Sequence, residues 1–375
     1  MKYYIIAGEA SGDLHGANLL SELKKLDSQA SFRCWGGDKM KAEGAEIVKH
    51  ISELAFMGFA EVLLNIKTIT KNIKFCKEEI LNHRPDVLIL IDYPGFNLRI
   101  AEFAHKNGIK VFYYISPTIW AWKESRVEIV KRAVDKMFVI LPFEKPFYAK
   151  HHCDVDYEGH PLIDEIEKIK KEIPSFEDFV KENKLSGKPI IACLPGSRKQ
   201  EIIKMLSVML TMQKHFPDHE LVVAGAPNLS EEYYNSICSL NGTKIISGKT
   251  YHLLHHAKAG LIKSGTSTLE AALFNVPQVC CYSGNAATVW IAKKIAKVKW
   301  ISLPNLIMGE EVVKELIQEE LNETKLKAEL QLLLQEGEYR NAMLNTYAQL
   351  NQLLGGKGAS GRIAKKMYSY LITKN

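Results

Sequence analysis

Short apolar segments alternate with amphipathic helical segments along most of the chain. In the first half, the apolar segments are rich in β-branched residues and predict strands at 3–7, 32–35, 87–91, 111–115, 137–141 and 155–158. The residues between them follow the helical period, as at 14–26, 59–81 and 98–106. Nearly continuous apolar strands such as VLILI at 87–91 are typical of a parallel sheet that helices cover on both faces.

Glycine, proline and charged residues interrupt this alternation at 159–171, which indicates a hinge. Strands are predicted again at 190–194, 221–224, 244–246, 260–262 and 278–281, and from Val312 onward only helices are expected. The pattern therefore predicts two doubly wound α/β domains, residues 1–163 and 164–345, with a helical tail at 346–375. Ligands of such folds bind beyond the carboxyl ends of the strands, so we expect two domains facing one cleft.

The composition narrows the class of protein. A chain of 375 residues is too long for one core, and 46% hydrophobic with 25% charged residues argues against disorder or a coiled coil. The net charge of +6 suits an acidic small molecule or an anionic membrane surface, but no basic run interleaved with aromatic residues indicates nucleic acid. The seven cysteines form no CxxC pair, and neither a signal peptide nor a membrane span is evident, so we expect a reduced, cytoplasmic protein.

Three segments of the first domain follow predicted strands. In GEASGD at 8–13, Ser11, Gly12 and Asp13 could bind a sugar or an anion at a helix start, or Asp13 could simply cap its helix. The segment DYPGFN at 92–97 contains Asp92 and Asn97. Asp92 is a candidate general base, because burying a carboxylate beside so apolar a strand costs free energy unless the group is paired or has a function. Capping of the next helix is the alternative role. Trp120 could stack on a sugar, although core packing is the commoner role.

The segment LPGSR at 194–198 closes the first strand of the second domain. Gly196 and Ser197 offer backbone and hydroxyl donors, and Arg198 offers a rigid fork for a diphosphate. An arginine at a helix start gains nothing from the helix dipole, so a binding role is favoured over a structural one.

The segment SGTSTLE at 264–270 joins a later strand to a helix. The backbone amides of its turn at Ser264, Gly265 and Thr266 would form a pyrophosphate cradle, and Glu270 could accept hydrogen bonds from ribose hydroxyls. A capping box of Ser267 with Glu270 is the alternative. A metal site is not expected: the DxD sequence at 154–156 lies within a predicted strand, and the histidine pairs at 151–152 and 255–256 lack companion ligands.

Eight segments occur in one order along nearly the whole chain: AGEASGDLHGA at 7–17, DYPGFNLRIA at 92–101, SPTIWAWKESR at 116–126, ILPFE at 140–144, EGHPLID at 158–164, LPGSR at 194–198, SGTSTLEA at 264–271 and SLPNLI…KELIQ at 302–318. Together they resemble the lipid-A-disaccharide synthases. The resemblance implies a GT-B glycosyltransferase of lipid A biosynthesis in Gram-negative bacteria. It implies the joining of UDP-2,3-diacylglucosamine to 2,3-diacylglucosamine 1-phosphate (lipid X) in a β-1,6 linkage, with release of UDP.

The resemblance also carries expectations about the site and its partners. It implies no cofactor and no essential metal, peripheral attachment to the cytoplasmic face of the anionic inner membrane, and a homodimer that exchanges C-terminal parts in some members. By the family's pattern, Asn305, Glu315 and Gln318 line the nucleotide or the donor sugar. On the acceptor side we expect Ser11, Gly12, Asp13, Asn97 and Trp120. Arg198 with the turn at 265–266 would stabilise the leaving UDP, and Asp92 would be the single base that an inverting displacement needs.

Acylated substrates predict an exposed apolar surface. The best candidate is one helical face formed by Phe56, Phe59, Val62, Leu63 and Ile66. Lysines at 67, 71, 74 and 77 follow this face in the sequence, and the second domain adds lysines at 293, 294, 297 and 299. Core packing would produce the same periodicity. Two rival functions remain open. One is another UDP-GlcNAc-type GT-B enzyme, such as the peptidoglycan glycosyltransferase or a 2-epimerase, which would lack DYPGFN and SPTIWAW. The other is a non-catalytic UDP-binding module.

Overall fold

A computed structural model describes residues 1–54, 66–226, 229–237, 242–285, 289 and 298–373 of the chain. The chain divides into two compact units. Unit 1 consists of Met1–Asp164 with Leu354–Asn375, and unit 2 consists of Glu165–Leu353. Each unit is built on one parallel sheet with helices, which confirms the predicted α/β class.

Within its described residues, unit 1 has seven parallel strands in the order β3-β2-β1-β4-β5-β6-β7. They are β1 (Lys2–Ala7), β2 (Ser31–Gly36), β3 (Glu46–His50), β4 (Val87–Ile91), β5 (Lys110–Tyr114), β6 (Lys136–Val139) and β7 (Asp156–Tyr157). The helices that follow in the chain are α1 (Ala10–Leu26), α2 (Asp38–Ala42), α3 (Ile66–His83), α4 (Pro94–Lys106), α5 (Ile119–Trp122), α6 (Val127–Ala133) and α7 (Glu144–Lys150). The central strand β4 is buried along its whole length, as a strand covered on both faces must be.

The described part of unit 2 has six parallel strands in the order β10-β9-β8-β11-β12-β13. They are β8 (Ile190–Leu194), β9 (Glu220–Gly225), β10 (Lys244–Ser247), β11 (Ala257–Lys263), β12 (Gln278–Tyr282) and β13 (Lys314–Ile317). Helix α8 (Leu162–Ile169) crosses from unit 1 into unit 2. The further helices of unit 2 are α9 (Phe176–Asn183), α10 (Lys199–Leu210), α11 (Glu231–Ile237), α12 (Thr250–His256), α13 (Thr266–Leu273), α14 (Leu303–Met308), α15 (Glu323–Leu334) and α16 (Glu338–Leu353).

The C-terminal residues are distributed differently from the expected tail at 346–375. Residues up to Leu353 complete α16 in unit 2, whereas the last helix, α17 (Ala359–Ile372), packs against α1 in unit 1. The carboxylate of Asp164 accepts hydrogen bonds from the first amides of this segment, and Lys366 pairs with Asp156 (2.6 Å) and Glu158 (2.7 Å). The apolar face of α17 and these ion pairs therefore attach the end of the chain to the first sheet.

Two edge strands have no counterpart in the sequence pattern. Strand β3 is only partly buried, and β13 carries charged residues among its four positions, so neither shows a continuous apolar run. The expectation of helices alone after Val312 is wrong for this reason. The predicted strand at 155–158 is also shorter, since β7 contains only Asp156 and Tyr157. None of the helices in the described part of the chain is long and apolar enough to cross a membrane.

Candidate functional site

The strand order of each sheet reverses at one place. The reversal lies between β1 and β4 in unit 1 and between β8 and β11 in unit 2. In doubly wound sheets a crevice opens beyond the carboxyl ends of the strands at such a switch point, and ligands bind there. Residues 8–13 and 92–97 follow β1 and β4, and residues 195–198 and 264–270 follow β8 and β11. The segments singled out in the sequence therefore lie at the two switch points.

The loop after β1 contains an exposed and a buried part. Glu9 and Ser11 are exposed at the start of α1, whereas Gly12 and Asp13 are buried. The Asp13 carboxylate accepts hydrogen bonds from the backbone N–H groups at residues 37 (2.7 Å), 39 (3.1 Å) and 40 (3.1 Å). Asp13 thus caps α2, not its own helix, and its role in this structure is to fix the neighbouring loop instead of presenting a carboxylate to a ligand.

Asp92 lies in a strained turn between β4 and α4. Asp92 and Tyr93 have φ angles of 44° and 49°, in the left-handed region that non-glycine residues seldom occupy. The Asp92 N–H donates to the carbonyl oxygens of Tyr114 (3.2 Å) and Ile115 (3.3 Å), and Ile115 itself has a φ of 63°. Strain of this kind persists only where the surroundings hold it, and it clusters at active sites.

The environment of the Asp92 side chain favours the neutral acid. Burial, and secondly the negative charge of Glu9, raise the pKa of the Asp92 carboxyl to about 7, against an opposing hydrogen bond from the Tyr93 N–H. The N-cap position of α4 belongs to Tyr93, so Asp92 does not occupy the capping position that was its alternative role. A carboxyl group that titrates near neutral pH is suited to general-base chemistry.

Two buried side chains hold the backbone of this turn. The Asn97 side-chain amide donates to the carbonyl oxygens of Asp92 (2.8 Å) and Ile91 (3.2 Å), and the Tyr113 hydroxyl also donates to the Asp92 carbonyl. Asn97 has no exposed surface. Its position corrects the expectation of an acceptor contact, because a wholly buried amide that bonds the turn acts on the orientation of Asp92 instead.

Trp120 packs inside unit 1. Its ring meets Phe143 edge to face at a centroid distance of 4.8 Å, and its Nε1 donates to the buried carboxylate of Glu144 (3.2 Å). The second oxygen of Glu144 accepts from the N–H groups of Ile140 and Leu141, and burial raises the pKa of Glu144 to about 7 despite these bonds. With 9% of its surface exposed, Trp120 is better explained by core packing than by stacking on a sugar.

Opposite charges meet at the switch point of unit 2. Arg198, at the N-cap of α10, donates from Nη1 to Glu201 Oε1 (3.3 Å), and Lys263 Nζ lies 3.3 Å from Glu201 Oε2. Gly196 has a φ of 98°, and a Cβ there would lie 3.3 Å from Cδ of Lys263. The side chains of Ser197 and Arg198 are exposed. The end of β8, the start of α10 and the end of β11 thus place two cations around one carboxylate.

The turn after β11 leaves its backbone open. Gly265 is the N-cap of α13 with a φ of 132°, and a Cβ there would have no neighbour within 4 Å among the described atoms. The first N–H groups of an α-helix have no acceptor within the helix, so the amides at Thr266 and Ser267, next to this open position, are the ones a ligand could use. Ser264 fixes the turn from behind by donating its hydroxyl to the carbonyl oxygen of Ile301 (2.8 Å).

Glu270 does not form the capping box that was its alternative. The N-cap residue is Gly265, which has no side-chain acceptor, and the Glu270 carboxylate instead accepts from the Tyr251 hydroxyl (3.0 Å). Burial raises the pKa of Glu270. The expected ribose contact stays a prediction, with Tyr251 as the residue that orients the carboxylate.

Asn305, Glu315 and Gln318, which are expected to line the nucleotide or the donor sugar, form hydrogen bonds within unit 2. The buried Asn305 amide bonds the backbone at Val312 and Val313 and donates to Glu315 (3.0 Å). Glu315 also accepts from backbone N–H groups at residues 301 and 302, and Gln318 accepts from the Gly284 N–H (2.8 Å). These three polar side chains fix two neighbouring loops, and their contact with the nucleotide or the donor sugar stays a prediction.

The proposed membrane face and the candidate metal ligands can be compared with the described residues. Phe56, Phe59, Val62 and Leu63 of the proposed membrane face lie outside the described residues, as does the Ile66 side chain. No group of three or more His, Cys, Asp or Glu side chains suited to a metal ion occurs in the described ranges. Asp156 of the DxD sequence is engaged with Lys366 and with the Tyr370 hydroxyl (3.1 Å).

Four site residues were missed by sequence reasoning: Tyr113, Glu201, Tyr251 and Lys263. Lys263 did carry a signal, because a lysine that ends an apolar strand directly before a glycine turn is placed at the binding edge of the sheet. Glu201 lies three residues after Arg198, one helical turn away. The partners of Tyr113 and Tyr251 are distant in sequence, and only the fold brings them together.

Comparison with known proteins gives a consistent result. A sequence model of the family described as Lipid-A-disaccharide synthetase matches residues 3–360. A protein named Lipid-A-disaccharide synthase from Geobacter sulfurreducens is 36% identical over 366 residues, covering 96% of this chain and 94% of the relative. A protein of the same name from Trichlorobacter lovleyi is 38% identical over 367 residues, covering 96% of this chain and 95% of the relative. Another, from Coxiella burnetii, is 35% identical over 376 residues, covering 98% of each.

Solved structures share the fold at low identity. A UDP-GlcNAc 2-epimerase from Neisseria meningitidis bound to UDP-GlcNAc has a TM-score of 0.69 at 15% identity, covering 98% of this chain and 100% of that one. The calicheamicin glycosyltransferase CalG4 has a TM-score of 0.60 at 16% identity, covering 98% of each chain. These neighbours support the Rossmann-like architecture of the two units.

Proposed function

The chain belongs to the lipid-A-disaccharide synthetase family, and on this premise we propose that it joins UDP-2,3-diacylglucosamine to 2,3-diacylglucosamine 1-phosphate in a β-1,6 linkage. The protein is a glycosyltransferase, and its role is synthesis of the lipid A disaccharide. Both substrates are acylated glucosamines, and the second product is UDP. The rival functions, a different UDP-GlcNAc-type enzyme and a non-catalytic UDP-binding module, are not favoured by the relatives.

The proposed reaction is a single displacement with inversion. The 6-hydroxyl oxygen of the acceptor attacks C1 of the donor sugar while the bond from C1 to the diphosphate breaks. The hydroxyl proton passes to the Asp92 carboxylate, and the bonding electrons leave with UDP. An α-linked donor and a β-linked product require only this one step and one base.

One observation carries this assignment. Asp92 lies at the switch point of unit 1 and has a pKa raised to about 7, mainly by burial. A general base works best when its pKa is near the working pH, because it must be ionised before the reaction and still basic enough to take a proton. The strained turn and the bonds from Asn97 and Tyr113 would keep the carboxylate in one place for this purpose.

We assign the donor to unit 2. The negative charge that develops on the leaving diphosphate would be stabilised by Arg198 and by the amides of the turn at 265–266. A metal ion is not needed in this proposal, because a guanidinium group and a helix N-terminus both bind phosphate oxygens. Glu270, oriented by Tyr251, would accept hydrogen bonds from the ribose.

Attachment to the cytoplasmic face of an anionic membrane is part of the proposal. Lys67, Lys71 and Lys74 recur at helical spacing on α3, and their side chains are exposed. Each basic residue near anionic lipid contributes about 1 kcal/mol, and the apolar face at 56–66 would add burial. Flotation with vesicles containing anionic lipid tests this: Phe59→Ser with Leu63→Ser should weaken binding with little change in melting temperature. A drop of several degrees with unchanged vesicle binding would instead identify the apolar face as core.

The function is tested by incubating the protein with both diacylated glucosamines. We expect UDP to appear in equal amount with a disaccharide 1-phosphate, and the coupling constant of the new anomeric proton should report a β linkage. Light scattering on the same preparation would measure the expected homodimer.

Two controls separate the rival functions. UDP-GlcNAc alone should give no epimerised UDP-sugar; its conversion would favour a 2-epimerase. UDP binding without turnover of the two acylated substrates would indicate a binding module, and a product of an unacylated acceptor would indicate another glycosyltransferase.

A further inference from the structure

Lys263 is the last residue of β11 and stands directly before the open turn at 264–266. Only 20% of its side-chain surface is exposed. Its stem packs on Gly196, where a Cβ would lie 3.3 Å from Cδ and 3.4 Å from Cγ of the lysine. Packing of the stem between two loops fixes where the ammonium group can go.

The ammonium group is paired only loosely. Lys263 Nζ lies 3.3 Å from Oε2 of Glu201, yet among the described residues that oxygen has no hydrogen-bond partner of good geometry. An ammonium group has three N–H donors, and a buried carboxylate oxygen is costly to leave without a hydrogen bond. The ammonium group therefore lies close enough to Glu201 for the two charges to attract. Because their hydrogen-bond geometry is poor, the ammonium group can exchange Glu201 for another anion.

Two features of the same edge attract an anion. Arg198 donates to the other oxygen of Glu201 (3.3 Å), so one carboxylate orients two cations. Helix α13 begins at Thr266, and its first N–H groups have no acceptor within the helix, while a Cβ at the neighbouring Gly265 would meet no described atom within 4 Å. A ligand with two adjacent phosphates matches two cations and a helix start better than a single anion does.

We propose that Lys263 is a second diphosphate-binding cation, which transfers its ammonium group from Glu201 to the phosphate oxygens when a nucleoside diphosphate binds. Glu201 is then a positioning residue: it holds both cations at the edge of the sheet while the site is empty. The inference rests on the proposed function for its ligand, the UDP of the sugar donor. It adds a contact from β11 to the one expected from Arg198.

Calorimetric titration with UDP at several KCl concentrations tests the proposal. Lys263→Met keeps the long unbranched stem on Gly196 and removes the charge. A charge-assisted hydrogen bond accounts for about 10- to 100-fold in affinity, so the Kd for UDP should rise by that factor. The dependence of the Kd on salt should also become weaker, because one ionic contact has gone. Lys258→Met, at the opposite end of the same strand, is the matched control and should change neither quantity.

A double variant separates contact from indirect damage. If Lys263→Met weakened binding only by leaving Glu201 with one partner, Lys263→Met with Glu201→Gln would restore the affinity for UDP. We expect the double variant to bind UDP about 10- to 100-fold more weakly than Glu201→Gln alone, and because it leaves no unpaired buried carboxylate it also decides the question if the single variant is unstable. Unchanged UDP affinity in Lys263→Met, or equal affinity in the double variant and Glu201→Gln, would overturn the inference about Lys263 and leave the proposed function standing. Failure of the unmodified protein to bind UDP overturns the proposed function with it.

Discussion

The two switch points are built by opposite means. At the edge of unit 1, left-handed backbone at Asp92, Tyr93 and Ile115 is held by uncharged buried donors, and the charge that acts on Asp92 is that of another acid, Glu9. At the edge of unit 2, glycines make the turns and two cations surround the carboxylate of Glu201. The same sheet architecture thus offers a carboxyl group at one edge and positive charge at the other.

The difference corresponds to a division of chemistry. A cation beside Asp92 would lower its pKa and make it a poor base, so a site for proton transfer is served by burial and a like charge. A diphosphate instead needs cations and open amides, and a buried acid held between two basic groups keeps them in place. The acids at the edge of unit 1 would repel a diphosphate, and the cations at the edge of unit 2 would lower the pKa of a catalytic base. Four substitutions test this contrast.

The largest effect is expected for Asp92→Asn. The amide cannot take the proton of the acceptor hydroxyl, so transfer should fall by about 10²–10⁴-fold. The measurement is the rate of disaccharide 1-phosphate formation at saturating concentrations of both substrates. Asp86→Asn, at the amino end of β4, is the matched control and should be nearly neutral in this assay. Retention of more than a tenth of the activity in Asp92→Asn would remove Asp92 from the role of base.

Arg198→Ala should have the second largest effect. Loss of a charge-assisted contact to the leaving diphosphate costs roughly 2–4 kcal/mol, or about 30- to 1000-fold in rate. The fold should be retained, because more than half of this side chain is exposed. The same transfer assay, with circular dichroism to check folding, measures the effect. Near-normal turnover in a folded variant would place the diphosphate elsewhere.

Tyr113→Phe should reduce activity to a smaller extent. The hydroxyl donates one hydrogen bond to the Asp92 carbonyl, and such a bond contributes about 0.5–1.5 kcal/mol, or about 2- to 12-fold. We expect kcat to fall by that factor while the KM for the UDP-sugar stays unchanged, since the change acts on the base and not on donor binding. A rise in KM with constant kcat would contradict a positioning role.

The pH profile should give the smallest change and the most specific one. The ionised form of Asp92 is the base, so kcat/KM should rise with pH, pass its midpoint at about pH 7 and level off above it. Glu9 is exposed, and its charge helps to raise the pKa of Asp92, so Glu9→Gln should move the midpoint to lower pH without abolishing activity. A profile that does not respond to Glu9→Gln, or that falls with rising pH in this range, would show that Asp92 does not limit the rate as a base.

Local pattern was sufficient for the fold class and for finding the candidate segments that follow strands at the two switch points. Strands β4 and β8 are buried at every position, so each can be recognised in the sequence as a continuous apolar run. Strands β3 and β13 lie at sheet ends, where exposure permits charged residues and erases the pattern. The last helix could not be assigned to unit 1 from the sequence, because the ion pairs of Lys366 with Asp156 and Glu158 join residues more than 200 positions apart.

The roles of individual polar residues were harder to predict. Asp13 and Asn305 stand in the expected segments, yet the fold uses them to hold backbone N–H groups of neighbouring loops. Residue type and spacing do not distinguish such a residue from one that contacts a ligand, because both need a polar side chain near the end of a strand. Asp92 differs from them in its raised pKa and strained backbone, and these properties appear only in three dimensions.

The division of labour between the two edges is tested most directly by UDP affinity in two variants measured side by side. Isothermal titration of UDP into Asp92→Asn should give the Kd of the unmodified protein, because the base does not contact the nucleotide in this account. The same titration into Arg198→Ala should give a Kd raised by about 30- to 1000-fold. Loss of UDP binding in Asp92→Asn, or full affinity in Arg198→Ala, would contradict the assignment of proton transfer to unit 1 and of the diphosphate to unit 2.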